Sequence, residues 1–267
     1  LAFDGLHSSA FALVNIDDKN GSYMVQNTKA SIYSYSQYGP SDYRVRVLEQ
    51  DIAGLVLNID GAEVHTHIIG GFNATNLLGV YAASHLLGSK EEDILRTLSV
   101  IRGAKGRMEI VLTEETQVTG IIDYAHTPDA LAAALGALRP EATGKLCVLF
   151  GCGGERDPGK REMMGQVACQ IADHVIVTDD NPRSEDPATI RKAILNSCPA
   201  ASEIAPRDKA IQQAIAALNE GDTLLIAGKG HETGQTIGSE ILPFDDASVA
   251  RHALMNLADN DSIRGGK

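Results

Sequence analysis

Apolar and polar positions follow two different rhythms along this chain, and the change falls near residue 108. Between residues 23 and 69 the alternation has period two, in Ser31-Ile-Tyr-Ser-Tyr-Ser36, Tyr43-Arg-Val-Arg-Val-Leu48, Gly54-Leu-Val-Leu-Asn-Ile-Asp60 and Glu63-Val-His-Thr-His-Ile68. Such alternation sends successive side chains to opposite faces and predicts half-buried strands. The last connections are short and include Asp60-Gly61, so these runs predict a small antiparallel meander. Ahead of it, residues 1–15 read as the tail of a helix running into a strand, followed by a turn cluster ending in Asn20-Gly21. After it, helical spacing predicts helices over 77–87 and 91–99.

From Met108 onward short β-branched runs alternate with helical stretches. Strands are predicted over 108–112, 119–123, 146–150, 175–178 and 223–227, with a short edge strand over 237–242. Helices are predicted over 128–138, 159–172, 187–196, 207–218 and 246–257. Thr127 and Pro128 supply an N-cap and a first-turn proline for the first of these. The polar, glycine-containing tail over 259–267 reads as frayed. Strand-helix alternation of this kind argues a mostly parallel, doubly wound sheet. The basic, glycine-rich stretch Arg102-Gly-Ala-Lys-Gly-Arg107 is the expected junction, dividing the chain into 1–107 and 108–267.

Composition narrows the function. The chain has 267 residues, 43% of them hydrophobic, enough for one large or two ordinary domains. A net charge of −12 argues against a nucleic-acid or anionic-membrane surface, where a basic footprint is expected. No apolar run reaches membrane-spanning length. The four cysteines, Cys147, Cys152, Cys169 and Cys198, have no Cys-x-x-Cys spacing and are expected to be reduced, in a cytoplasmic protein. His65 and His67 share one strand face but lack a third ligand nearby, so a solvated face rather than a metal site is expected. The first residue is Leu, and the expectation is a chain that starts inside a longer protein.

The candidate chemistry sits in four polar loops that follow predicted strands. They are Asp123-Tyr-Ala-His126-Thr-Pro, Gly151-Cys-Gly-Gly-Glu155-Arg156-Asp157, Asp179-Asp180-Asn181-Pro182-Arg183 and Gly228-Lys229-Gly230-His231-Glu232. In a parallel sheet all four share the carboxyl-end rim, where ligands bind. Their carboxylates, arginines, lysine and histidines suit a zwitterion with carboxylates and ammoniums. Pro182 stiffens its turn, and Arg183 offers a planar fork for a carboxylate. Gly151-x-Gly-Gly fails the dinucleotide fingerprint because Arg156 stands at the third glycine position, and Asp179 comes about 28 residues on rather than about 20. No Gly-x4-Gly-Lys-Ser/Thr loop occurs, and no nucleophile elbow accompanies His126. Asn73 and Asn76, three apart at a helix start, share one face. Capping accounts for one of them, and two adjacent amides can read the edge of a purine.

Together Gly71-Phe-Asn-x-x-Asn76, Gly106-Arg-Met-Glu109, Asp123-Tyr-Ala-His-Thr-Pro-Asp129, Gly151-Cys-Gly-Gly-x-Arg-Asp157, Asp180-Asn-Pro-Arg183 and Gly228-Lys-Gly-His-Glu232 resemble the Mur ligases of bacterial cell-wall synthesis. The last two motifs resemble the members that add diaminopimelate. The resemblance implies an α/β fold in two parts. Residues 1–107 would be the C-terminal part of the central ATP-binding domain, with its small antiparallel β meander. Residues 108–267 would be a doubly wound, Rossmann-like C-terminal domain that binds the amino acid. It implies an ATP-dependent, amide-forming ligase that joins meso-diaminopimelate to UDP-N-acetylmuramoyl-L-Ala-D-Glu through an acyl phosphate, in the cytoplasm.

By resemblance Asn73, Asn76, Arg107, Asp123 and His126 would serve ATP. Arg156, Asp180, Asn181, Pro182, Arg183, Gly228 and Glu232 would form the diaminopimelate pocket. The family's phosphate loop, carbamylated lysine and Mg2+ ligands have no counterpart among these residues and are expected upstream. The chain alone is therefore expected to be inactive as a ligase. Alternatives are a lysine-adding Mur ligase, which Arg183 argues against, and a module that binds diaminopimelate without chemistry. Folylpolyglutamate synthetase is disfavoured by the Asp-Asn-Pro-Arg and Gly-Lys-Gly-His-Glu pair.

Overall fold

The computed structural model describes residues 3–111 and 118–265, with side chains as far as 257. The chain divides into two compact units, Leu1–Gly103 and Ala104–Lys267.

In the first unit five strands form one sheet in the order β1-β2-β3-β4-β5, with β1 Phe11–Asn15, β2 Ser31–Ser36, β3 Tyr43–Asp51, β4 Gly54–Ile59 and β5 Ala62–Thr66. Only β3-β4-β5 is the expected antiparallel meander. β2 pairs parallel with β1 on one side and, over two residues, with β3 on the other. Local side-chain bonds divert the chain there. The Asp42 carboxylate accepts from Ser34 N and Oγ (2.7 and 2.6 Å), folding the short Gly-Pro loop back along β2 instead of into a hairpin. The helix expected before β1 is absent among the described residues, where residues 3–5 form a turn. A single helical turn, α1 (Gly21–Met24), links β1 and β2.

Helix α2 (Asn73–Leu86) buries Ala74, Leu77, Leu78, Tyr81 and Ala82, one face at helical spacing. With Ile94 and Leu98 of α3 (Glu91–Val100) these pack on Val45, Leu55, Leu57, Ile59 and Val64 of the sheet. His65 and His67 are exposed, and His65 pairs with Glu63.

The second unit holds a six-stranded sheet in the order β10-β9-β8-β11-β7-β6. Its strands are β6 Glu109–Val111, β7 Thr119–Asp123, β8 Leu146–Phe150, β9 His174–Val177, β10 Ser202–Glu203 and β11 Thr223–Ala227. All pairs are parallel except β6 with β7. Every residue of β8 and β11 is buried, the mark of strands covered on both faces. Helices α7 (Arg207–Ala216) and α8 (Asp246–Gly265) cover one face, packing on Ile122, Cys147, Leu149, Ile176, Leu224 and Ile226. The intervening residues Ile121, Val148, Phe150 and Leu225 are also buried and point the other way. α4 (Pro128–Leu138), α5 (Gly159–Ile171) and α6 (Pro187–Leu195) belong to that side, with α4 packed beside α5 and α5 beside α6. Thr127 caps α4 as expected, its Oγ1 accepting from Ala130 N.

Four features depart from the pattern of the sequence. The strand expected over 237–242 is a separate hairpin, β12 Gly234–Ile237 and β13 Glu240–Pro243, because Gly238 takes a left-handed turn (φ 59°) between them. α8 continues past Leu257, since a helix seeded on a core propagates by one bond per residue without further apolar contacts. Cys169 and Cys198 form a disulfide with Cα atoms 5.7 Å apart, against the expectation of four thiols. The packing of α5 beside α6 brings them together, and spacing along the chain carries no sign of it. Finally, the capping role foreseen for Asn73 or Asn76 falls to neither: Phe72 is the N-cap of α2 and supplies no side-chain bond. The Leu112 end of the first C-terminal strand lies outside the described residues.

Candidate functional site

The loops after β7, β8, β9 and β11 meet at the carboxyl rim of the second sheet and enclose a cleft of about 440 Å³. Arg156, Asp180, Asn181, Arg183, Gly228 and Glu232 line it, with His126 at one side. Pro182 does not line it; it is buried behind the loop, its carbonyl accepting from Glu185 N (3.1 Å).

The glycine-rich loop after β8 is a seat for its neighbour. A Cβ on Gly151 would lie 2.3 Å from Thr178 O, and one on Gly154 would lie 1.9 Å from Pro182 O. Those contacts are backbone and cannot yield cheaply. The glycines let the Asp180–Arg183 turn dock directly on this loop, where Gly154 N donates to Asn181 O (2.9 Å). Gly151→Ala is therefore expected to cost about 1–3 kcal/mol as an overpacking change. A urea midpoint equal to that of the parent chain would refute the docking argument.

Arg183 sits in the left-handed region (φ 53°), unusual for a side chain of its size. The conformation lets its N–H donate to Thr236 O (3.1 Å) while its carbonyl accepts from Gly238 N (2.7 Å), clamping the turn to the β12–β13 hairpin. Its Nη1 donates to Gly154 O (2.7 Å), and its Nη2 and Nε have no protein partner among the described residues. Arg156 is exposed and makes no ion pair or hydrogen bond among the described residues. Two guanidinium edges thus stand open in one cleft.

Glu232 supplies the opposite charge. Its Oε2 accepts from Asn181 Nδ2 (2.9 Å) and Lys229 Nζ (3.1 Å), and its Oε1 has no partner among the described residues. Burial pushes this carboxyl up, but the bonds from Asn181 and Lys229 and the charges of Lys229 and Arg183 outweigh it and hold it below the usual carboxylate range. The Asn181 amide is used inside the loop: Oδ1 accepts from Lys229 Nζ (3.0 Å) and Thr236 N (2.9 Å). Asp180 Oδ1 accepts from Asn181 N (2.6 Å), and Gln235 Nε2 donates to the Asp180 carbonyl (2.6 Å). Cys152 lies at the cleft floor, its thiol pushed up to about 12 by burial.

The residues expected to serve a nucleotide are distributed differently. Asn73 and Asn76 are in the first unit, paired through Asn76 Nδ2 and Asn73 Oδ1 (2.9 Å), with Asn73 Nδ2 donating to Ile69 O (2.7 Å). Among the described residues Asn76 Oδ1 has no partner, and the residue is exposed. In the second unit Arg107 lies over the Tyr124 ring, Cζ 4.5 Å from its centroid, in a cation–π contact. His126 packs edge-on to Tyr124, and its Nδ1 donates to Tyr124 O (2.9 Å), which leaves Nε2 as an acceptor. Asp123 is buried, with Oδ2 accepting from Met108 N (2.8 Å) and Oδ1 from Ala125 N (2.7 Å). Burial pushes its carboxyl up, against those two bonds.

Reasoning from sequence missed Tyr124 and Gln235. It counted Lys229 among the polar groups of the rim, and the fold shows it fully buried. Tyr124 had a signal, being the aromatic inside the Asp123–His126 motif.

Residues 2–84 match the Mur ligase middle domain, and residues 106–230 match the Mur ligase glutamate ligase domain. A UDP-N-acetylmuramoyl-L-alanyl-D-glutamate--2,6-diaminopimelate ligase of Cytophaga hutchinsonii is 41% identical over 96% of this chain and 54% of its own length. The Phocaeicola vulgatus protein of the same name is 44% identical over 95% of this chain and 54% of its own. The chain spans about half the length of the curated relatives it matches. A solved diaminopimelate ligase of that name superposes with a TM-score of 0.62 at 33% identity, over 92% of this chain and 53% of the other. A MurF ligase from Thermotoga maritima, solved with ADP, shares the fold with a TM-score of 0.66 at 14% identity, over 99% of this chain and 56% of the other.

Proposed function

The chain belongs to the Mur ligase family, and from that premise we propose that it carries the amino-acid-binding part of an ATP-dependent ligase. The ligase joins meso-diaminopimelate to UDP-N-acetylmuramoyl-L-Ala-D-Glu in peptidoglycan synthesis, in the cytoplasm. The observation that carries this is the cleft itself: two open guanidinium edges, at Arg156 and Arg183, beside a carboxylate with one open oxygen, at Glu232. Meso-diaminopimelate has two carboxylates and two ammoniums. Arg183 can take a carboxylate through Nε and Nη2, and Arg156 is free for bidentate contact. Glu232 Oε1 would receive an ammonium. Asn181 and Asp180 hold the frame in this reading, Gly228 leaves room for it, and Pro182 stiffens it.

ATP would supply activation of the substrate carboxyl. Of the residues assigned to it, Asn76, Arg107 and His126 have groups to offer a nucleoside: an amide acceptor, an exposed guanidinium and an imidazole nitrogen. Asn73 acts by orienting Asn76. Asp123 fits less well, since both its oxygens already hold backbone amides, and we assign it to shaping its own loop. Mg2+ would bridge the ATP phosphates, and no residue of this chain is proposed as its ligand.

Binding, not turnover, is the property to measure on these 267 residues. Titration calorimetry is expected to show saturable heat with meso-diaminopimelate. L-lysine lacks the distal carboxylate and would leave an arginine unpaired, so it is expected to bind roughly 10⁴-fold more weakly. Equal affinity for the two amino acids, or no heat with either, overturns the assignment.

A further inference from the structure

Lys229 is a charged side chain beside the cleft with no direct contact to offer the amino acid. It stands between Gly228 and Gly230 in the loop after β11 and has no exposed surface. Its Nζ donates to Asn181 Oδ1 (3.0 Å) and Glu232 Oε2 (3.1 Å), and Asn181 Nδ2 donates to that same Oε2 (2.9 Å). The three groups close a triangle across two loops. A buried ammonium is costly unless it is paired. Here both of its partners line the ligand cleft, while Lys229 itself does not reach it.

We infer that Lys229 is a positioning residue for the amino-acid substrate: it locks the Asn181 amide and occupies Glu232 Oε2, leaving Oε1 ready for an ammonium. The inference rests on the diaminopimelate reading for the identity of the ligand, but the triangle itself can be tested without any ligand. Three features support it. An amide can flip, and a cation on Oδ1 together with Thr236 N (2.9 Å) fixes which end faces Glu232. A carboxylate that must take an ammonium has to be ionised in the empty cleft, and Lys229 favours that state. Finally, a substrate ammonium cannot displace Lys229 from Oε2 without leaving it buried with only the neutral Asn181 Oδ1 as partner, so the ligand is steered to Oε1.

The pH dependence has a definite sign. An ionised Glu232 is needed, so affinity is full above its titration point and falls as pH drops through it. Removing Lys229 moves that point up, and the loss begins at a higher pH. The other charged groups around the cleft are Asp180, Arg183, Arg156, Asp157, Lys160 and His126. A Glu232→Gln background separates Glu232 from all of them.

The test uses the 267-residue chain with carboxyl-carbon NMR and calorimetry. In the ligand-free protein Lys229→Met is expected to raise the Glu232 titration midpoint measurably. It is expected to weaken meso-diaminopimelate binding roughly tenfold or more, an effect that largely disappears when Glu232 is already Gln. If Lys229→Met does not fold, Lys229→Gln keeps a donor without the charge and takes its place. An unmoved Glu232 midpoint, or a binding loss equally large in the Glu232→Gln background, overturns the inference even where the parent chain binds diaminopimelate. No binding by the parent chain overturns the diaminopimelate reading instead. In that case a shifted midpoint still upholds the Lys229–Glu232 coupling, and an unshifted one removes it.

Discussion

Replacing Asp246 by Ala is expected to lower the stability of the second unit by about 3–5 kcal/mol, the range for removing one partner of a buried ion pair. The Arg207–Asp246 pair has both side chains fully buried and is bidentate, Nε to Oδ1 and Nη2 to Oδ2, each 2.7 Å. Without Asp246 a guanidinium would remain in a site built of α7, α8 and the sheet, with the Ala227 carbonyl (2.9 Å) as its main remaining partner. Water cannot reach it without opening that layer. Replacing both partners by apolar residues, as Arg207→Met with Asp246→Leu, is expected to fall well short of the single-variant loss, because no charge is then stranded. Hydrogen exchange of the β11 amides reads the stability of this unit directly. A loss below about 1 kcal/mol for Asp246→Ala would show that the charge finds solvent, contrary to its burial.

The same pair bears on function. Arg207 reaches the carbonyl of Ala227, the last residue of β11, and lies 3.5 Å from that of Asp179, just after β9. Those positions begin the loops that carry Glu232 and Arg183. On the other side, Arg161 of α5 grips both oxygens of Glu185 (3.0 and 2.9 Å), and Glu185 accepts from Glu155 N (2.5 Å). The loop after β8 is thereby tied to the turn after β9. The cleft is held by buried or half-buried ion pairs behind it, which frees Arg156 and half of Arg183 for a ligand.

Why some of this was legible in the sequence and some was not follows from the range of the interactions. Strands β7, β8 and β11 and helix α4 fall where the sequence puts them, because a covered parallel strand must be apolar throughout and Thr127-Pro128 is a local signal. The convergence of Arg156, Arg183 and Glu232 was also readable, since parallel topology places all such loops on one rim. Pairing partners were not. β2 has the alternation of a meander strand, yet Asp42 turns it into a parallel neighbour of β3. The Cys169–Cys198 bond depends on how two helices pack, as does the burial of Arg207. The roles of Asn181 and Lys229 were hidden for another reason. Residue type tells what a side chain can donate or accept, but only the fold shows that those bonds are already taken inside the protein.

Arg183→Ala is expected to weaken meso-diaminopimelate binding by about 30-fold to 1,000-fold and to cut the preference over L-lysine by nearly the same factor. The guanidinium leaves Nε and Nη2 open, a side-on edge that matches a carboxylate, and among the described residues the cleft offers just one other open arginine, Arg156. Lysine has no distal carboxylate, so it should lose much less affinity on the same change. Arg183→Lys should not restore the preference, because an ammonium cannot present two parallel donors. Backbone effects can be separated from this. Residue 183 is left-handed, a conformation that costs an alanine roughly 1–2 kcal/mol and a glycine almost nothing. Arg183→Gly should therefore be more stable than Arg183→Ala while binding diaminopimelate equally poorly. If the glycine variant recovers affinity together with stability, Arg183 acts by shaping its turn and the carboxylate contact is refuted. If both variants keep the affinity of the parent chain, the residue has no part in binding. In a complete ligase carrying this chain, kcat/KM for diaminopimelate should fall in step with affinity while kcat at saturation changes little, because the change removes a contact to the amino acid and leaves the activated carboxyl untouched.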